Sequence, residues 1–116
     1  MTLDEYQEFT ATTAKHASLA SSSAVHAQDL VYPVLGLNGE AGEVAEKVKK
    51  LMRDDGGQIT DNARTAIALE LGDVLWYLAT TARKLGLPLS EIARMNMEKL
   101  LSRRARGTTG GSGDNR

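Results

Sequence analysis

Apolar residues in this chain recur every third or fourth position, the spacing of helices rather than strands. One such stripe is Leu30, Val34, Leu37, Ala41, Val44, Val48 and Leu51. It predicts a helix over about residues 28–53. Pro33 reads as part of its first turn, where a missing N–H costs nothing, or else delays the start to near Pro33. A second stripe, Ala63, Ile67, Leu71, Val74, Leu78, Ala82 and Leu85, predicts a helix from a cap at Thr60 or Asp61 to about Leu85. A weaker one, Leu3, Tyr6, Phe9, Thr13 and Ala17, predicts a first helix capped by Thr2 or Asp4 and running to about Ala20. Its small residues give it little stability of its own, so it needs a broad partner surface. Ile92, Met95, Leu100 and Leu101, behind a cap at Ser90, predict a fourth. Ser21-Ser22-Ser23, Asp54-Asp55-Gly56-Gly57 and Gly86-Leu87-Pro88 are the breaks between them. Alternating β-branched runs are absent. The expectation is an all-α, four-helix-bundle-like domain over residues 1–106. Residues 107–116 carry no apolar side chain and are expected to form a disordered tail.

Polar residues interrupt the second and third stripes at positions that call for a reason. The run Leu69-Glu70-Leu71-Gly72-Asp73-Val74-Leu75-Trp76-Tyr77-Leu78 is the most apolar in the chain, yet it holds two acids three residues apart. Residues at that spacing share a helix face. Gly39-Glu40-Ala41-Gly42-Glu43 repeats the arrangement. Lys47 and Lys50 fall on the Glu40 and Glu43 face, one and two turns further on, and Tyr77 falls between Glu70 and Asp73. On the fourth helix Asn96, Lys99 and Arg103 share an arc of about 60°. Trp76 lies off the acid face and reads as packing, Glu46 as solvated or supporting. Gly36, Gly39 and Gly42 each cost a helix roughly 1 kcal/mol relative to Ala. Three at i+3 spacing imply close approach to that face, by a ligand or by another helix.

Composition narrows the chemistry. The chain has 116 residues, enough for one domain, and a net charge of −1. No basic block marks a nucleic-acid partner. Without cysteine there is no disulfide or zinc–thiolate site. No apolar run approaches the roughly 20 residues of a membrane span, and the acidic, amphipathic N-terminus is unlike a secretory signal. A cytoplasmic location is expected, with neither nucleic acid nor membrane as partner. Glu-x-x-His pairs, the mark of di-iron bundles, are missing. His16 and His26 have no ligand spacing.

A lone acid pair is usually a solvated face, but two pairs set in apolar helices are harder to leave so. Four carboxylates meeting inside a bundle repel and lose solvation unless a cation compensates. Magnesium takes oxygen ligands, keeps several waters and completes its shell with substrate phosphates. The cations on neighbouring faces suit the rest of a polyphosphate.

These residues resemble the MazG-like nucleoside triphosphate pyrophosphohydrolases. The resemblance runs through Gly39-Glu40-Ala41-Gly42-Glu43-Val44-Ala45-Glu46, Glu70-Leu71-Gly72-Asp73-Val74-Leu75-Trp76-Tyr77-Leu78 and Asn96-Met97-Glu98-Lys99-Leu100-Leu101-Ser102-Arg103, with Leu3-Asp4-Glu5-Tyr6-Gln7 similar to the short single-domain members. It spans about residues 3–104. It implies cleavage of a nucleoside triphosphate between the α- and β-phosphates, giving a monophosphate and pyrophosphate. It implies Mg2+, or Mn2+ in its place, on Glu40, Glu43, Glu70 and Asp73; the expected mechanism is metal-assisted attack by water, with Glu40 or Glu43 relaying the proton. Lys47, Lys50, Tyr77, Asn96, Lys99 and Arg103 become substrate-binding candidates, and the assembly a homodimer or homotetramer. The Ser-rich stretch at 18–28 and the lack of Tyr-Pro after Arg103 depart from the short members. Two alternatives are a phosphoribosyl-ATP pyrophosphohydrolase and a non-catalytic nucleotide-sensing or oligomerising module.

Overall fold

The computed structural model describes residues 1–15 and 24–113. Among these it contains four helices and no strands: α1 (Leu3–Thr13), α2 (Ala27–Asp54), α3 (Asp61–Lys84) and α4 (Leu89–Ala105). The expected all-α architecture holds. α2 and α3 pair along their lengths as an antiparallel hairpin, turned at Gly56 and Gly57, both with positive φ. α1 packs on α3 and α4; α4 meets α1 and α3 but not α2. Among the described residues no helix is long and apolar enough to cross a membrane.

α1 ends at Thr13, well short of Ala20. Its threonines explain the early stop. The hydroxyls of Thr10, Thr12 and Thr13 donate to the carbonyls of Gln7, Phe9 and Thr10, bonds that compete with helix continuation. Ala14 is already extended, and residues 16–20 of the predicted helix lie outside the described residues. The start is as expected: Thr2 accepts from the Glu5 amide, and Glu5 accepts from Thr2 in return. Pro33 does not open α2. It lies fully buried inside the helix, six residues past its start. Thr60 caps α3, accepting from the Ala63 amide at 3.1 Å.

Ser90 is not the cap of α4; Pro88 holds that position and has no side chain to offer. α1 does the capping instead. The Leu89 amide donates to Gln7 Oε1 at 3.0 Å, and the Ser90 amide to Asp4 at 2.9 Å, with the Ser90 hydroxyl on the same carboxylate. Two of the orphan N–H groups of α4 are thus met from another helix. These bonds hold the Asp4 carboxyl below its ordinary value. Gln7 also donates to the carbonyls of Leu87 (2.9 Å) and Ala79 (3.3 Å), while Arg83 donates to the buried Thr10 hydroxyl at 2.8 Å. A polar clasp therefore locks α1 into the α3–α4 turn. The apolar core beneath it is small: Ala79, Ala82 and Leu89, with Tyr6, Leu75, Leu78 and Ile92 packed around them. Residues 107–113 carry no helix or strand and fold back on α4, where Arg103 Nη2 donates to the Gly113 carbonyl.

Candidate functional site

The α2–α3 hairpin brings the two acid motifs together. One carboxylate oxygen each from Glu40, Glu70 and Asp73 lie within 4.8 Å of one another. Glu40 and Glu70 are half-buried and Asp73 is exposed. Burial pushes the Glu40 carboxyl above its ordinary value, helped by the charges of Asp73, Glu70 and Glu43. Glu43 stands outside this group of three on the exposed part of α2, near enough for its charge to act on Glu40 and Lys47.

The cations divide. Lys47 forms an ion pair with Glu70 at 2.9 Å, and that hydrogen bond, with the charges of Glu70 and Glu43, raises its ammonium above the ordinary value. Lys50 turns instead to Glu46, which also pairs with Lys49. Asn96 and Lys99 line a separate hollow with Leu87, Ile92 and Met95. Arg103 is buried against the C-terminal segment. Thus within one chain Lys47 joins the acids, while the α4 trio does not share the hairpin cleft.

Tyr77 is half-buried beside the acids, and its ring explains one glycine. A Cβ on Gly36 would stand 2.1 Å from Tyr77 Cε1. That close approach is helix packing, not ligand. At Gly39 and Gly42 nothing lies within 4 Å of the same point. The hydroxyl of Tyr77 hydrogen-bonds that of Tyr32, whose ring centroid is 6.3 Å away; this bond first, then burial, raises the Tyr77 phenol. Trp76 packs, as expected, edge-on to Tyr77 at 4.9 Å, and its Nε1 donates to Thr13 Oγ1. Tyr32 has no counterpart in the sequence reading. The available signal was its i, i+4 spacing to Gly36, which puts both on one face.

An all-oxygen cluster suits a hard cation. The donors, their mutual closeness and the raised carboxyl of Glu40 all describe charge that a divalent ion relieves. The family model for the MazG nucleotide pyrophosphohydrolase domain matches residues 32–107, a span holding both acid motifs and the α4 polar face. The chain belongs to this family. It is also similar to the "Gene 37 protein" of Mycobacterium phage L5, 44% identical over 116 residues and the full length of both. No solved structure matches it.

Proposed function

We propose that the protein is a magnesium-dependent nucleoside triphosphate pyrophosphohydrolase, with manganese a substitute. The observation that carries this reading is the gathering of Glu40, Glu70 and Asp73 between α2 and α3 with Lys47 alongside. Those three carboxylates would hold the ion, with Glu43 standing beside them. When bound, magnesium supplies charge neutralisation at the phosphates and acidifies water. Water adds to the α-phosphorus, and the bond from that phosphorus to the α,β-bridging oxygen breaks. Pyrophosphate leaves with the oxygen, and the monophosphate keeps the sugar. Glu43, outside the group of three, takes the proton that water loses. Lys47, held beside the acids by Glu70, would meet the phosphates as a point charge.

The assembly we propose is a homodimer or homotetramer, and the surface supports it. The chain exposes 8385 Å², whereas a compact monomer of 12.5 kDa exposes about 6,200 Å². Leu35, Leu69 and Met52 on the hairpin are each about two-thirds exposed. Asn96 and Lys99, on the helix that does not meet α2, serve the phosphates across a subunit boundary.

The test is a panel of nucleotides incubated with magnesium, following pyrophosphate and monophosphate. Equal amounts of both are expected. Orthophosphate from the terminal position, or no product from any nucleotide, rejects the reading. Glu43→Gln is expected to lower turnover at least about 100-fold with unchanged helix content.

A further inference from the structure

Two turns along the hairpin from the acids lies a cavity of about 150 Å³ that the chemistry above does not use. Tyr32, Pro33, Trp76 and Thr80 line it, with Gln28, Asp29 and Lys84 adding polar and charged groups. Its place is set by helix periodicity. Thr80 follows Asp73 by seven residues and Pro33 precedes Glu40 by seven, so both sit on the acid faces, about 10 Å further along. The Tyr32–Tyr77 pair bridges the two regions. A group held by its phosphates at the acids reaches this cavity with its other end.

Thr80 is the unexplained element. The residue is 5% exposed, and its buried hydroxyl has no hydrogen-bond partner among the described residues. Buried hydroxyls are nearly always satisfied, and on a helix the usual recourse is a carbonyl one turn back. Threonine on a helix divides between two χ1 rotamers, so rotation about one bond exchanges methyl for hydroxyl at the cavity wall. A ligand with a polar edge satisfies what the protein leaves unmet.

The walls and the size limit what fits. Indole and phenol rings offer faces for stacking, which every nucleobase accepts. A cavity of about 150 Å³ matches the volume that takes up benzene in an engineered protein core, so a single six-membered ring fills it, whereas a fused pair must reach beyond its mouth. We propose that this cavity is the base pocket, that it selects pyrimidine over purine nucleotides, and that Thr80 hydrogen-bonds the base. The proposal rests on the nucleotide reading of the acid cluster for its orientation.

Trp76 is the only tryptophan in the chain, so its fluorescence reports the cavity directly, without turnover. The full chain is titrated with dCMP, dTMP, dAMP and dGMP, and KM is measured for the four deoxynucleoside triphosphates with magnesium. Quenching by the pyrimidine monophosphates about tenfold tighter than by the purines is expected. Thr80→Val, which keeps the shape, should weaken pyrimidine binding about fivefold; Thr80→Ser should restore most of it. Equal quenching by purines, quenching by none, or a Thr80→Val protein that binds like the parent overturns the proposal. Hydrolysis of all four triphosphates without preference would remove the pocket and leave the activity. Pyrimidine-selective quenching with no hydrolysis would remove the activity and leave the pocket.

Discussion

Glu40 concentrates the conflict in this molecule into one side chain. It is half-buried against two other carboxylates, and burial and their charges raise its carboxyl above the ordinary glutamate value. A group whose folded value is raised favours the folded state below its unfolded value, and loses that contribution as pH climbs through the folded value. Asp4 runs the opposite way. Its carboxyl is lowered by the Ser90 bonds, so its contribution is present above the ordinary aspartate value and lost as pH falls through the folded one. The cation-free protein therefore loses stability on the acid side through Asp4, and above the ordinary glutamate range through Glu40. Thermal unfolding without divalent ions should show Glu40→Gln melting higher than the parent at neutral pH. Adding millimolar magnesium should raise the parent by mass action and move Glu40→Gln much less. A parent that ignores magnesium, with and without nucleotide, would return the acids to the status of a solvated face. Gln7 is the other residue on which the fold turns. Gln7→Ala removes hydrogen bonds to Leu87, Ala79 and Leu89 and leaves buried groups unmet. A cost of about 2–4 kcal/mol in denaturant unfolding is expected; a loss under half that would mean the clasp is ornamental.

At the scale of elements, α2 shows what periodicity carries and what it does not. Its length, its stripe and the placing of Glu40 and Lys47 on one face follow from 3.6-residue spacing, which is why the acid cluster is legible in the sequence. The α3 cap at Thr60 was legible for the same local reason. Most of what failed was decided by distant partners. Nothing near Ser90 says that Asp4 supplies its cap, because that carboxylate comes from another helix. Nothing in the α1 stripe marks a stop at Thr13, because the threonine hydroxyls compete with the helix quietly. Periodicity put Asn96 and Lys99 on one face of α4 but could not say that α4 misses α2. The glycines of α2 were open between two readings, and the structure separates them. Gly36 is walled by the Tyr77 ring, whereas Gly39 and Gly42 face open space. Gly36→Ala is expected to cost at least about 2 kcal/mol, since overpacking outweighs the gain in helix propensity. Gly39→Ala and Gly42→Ala should instead stabilise an isolated chain, by up to about 1 kcal/mol each. If either destabilises, and the loss grows with protein concentration, that face is covered by another copy.

The whole molecule explains why another copy is expected. A chain of this length whose core, among the described residues, is little more than Ala79, Ala82 and Leu89 has too little of it to supply the usual 5–15 kcal/mol. Its radius of gyration is 17.3 Å, against about 13 Å for a compact domain of its length. The apolar residues that a larger core would use are outside instead. Leu35 and Leu69 stand about two-thirds exposed on the two arms of the hairpin, and Met97, Leu100 and Leu101 about half exposed on α4. The surplus over a compact monomer, about 2,000 Å² per chain, is enough for an interface of obligate size, which buries about 2,000–5,000 Å² over both partners. Burying the hairpin arms against a second hairpin would also stiffen the helices that carry Glu40 and Asp73, which ties assembly to the site. Light scattering on the full chain should give a dimer or tetramer at micromolar concentration. Leu35→Glu together with Leu69→Glu, placing charge where the apolar face would be covered, should shift it toward monomer and lower its melting temperature. Turnover should fall with assembly, because the acids lie on the same hairpin. A double variant that stays assembled, or a parent that is monomeric and fully active, would mean the single chain is sufficient and that the exposed face serves something else.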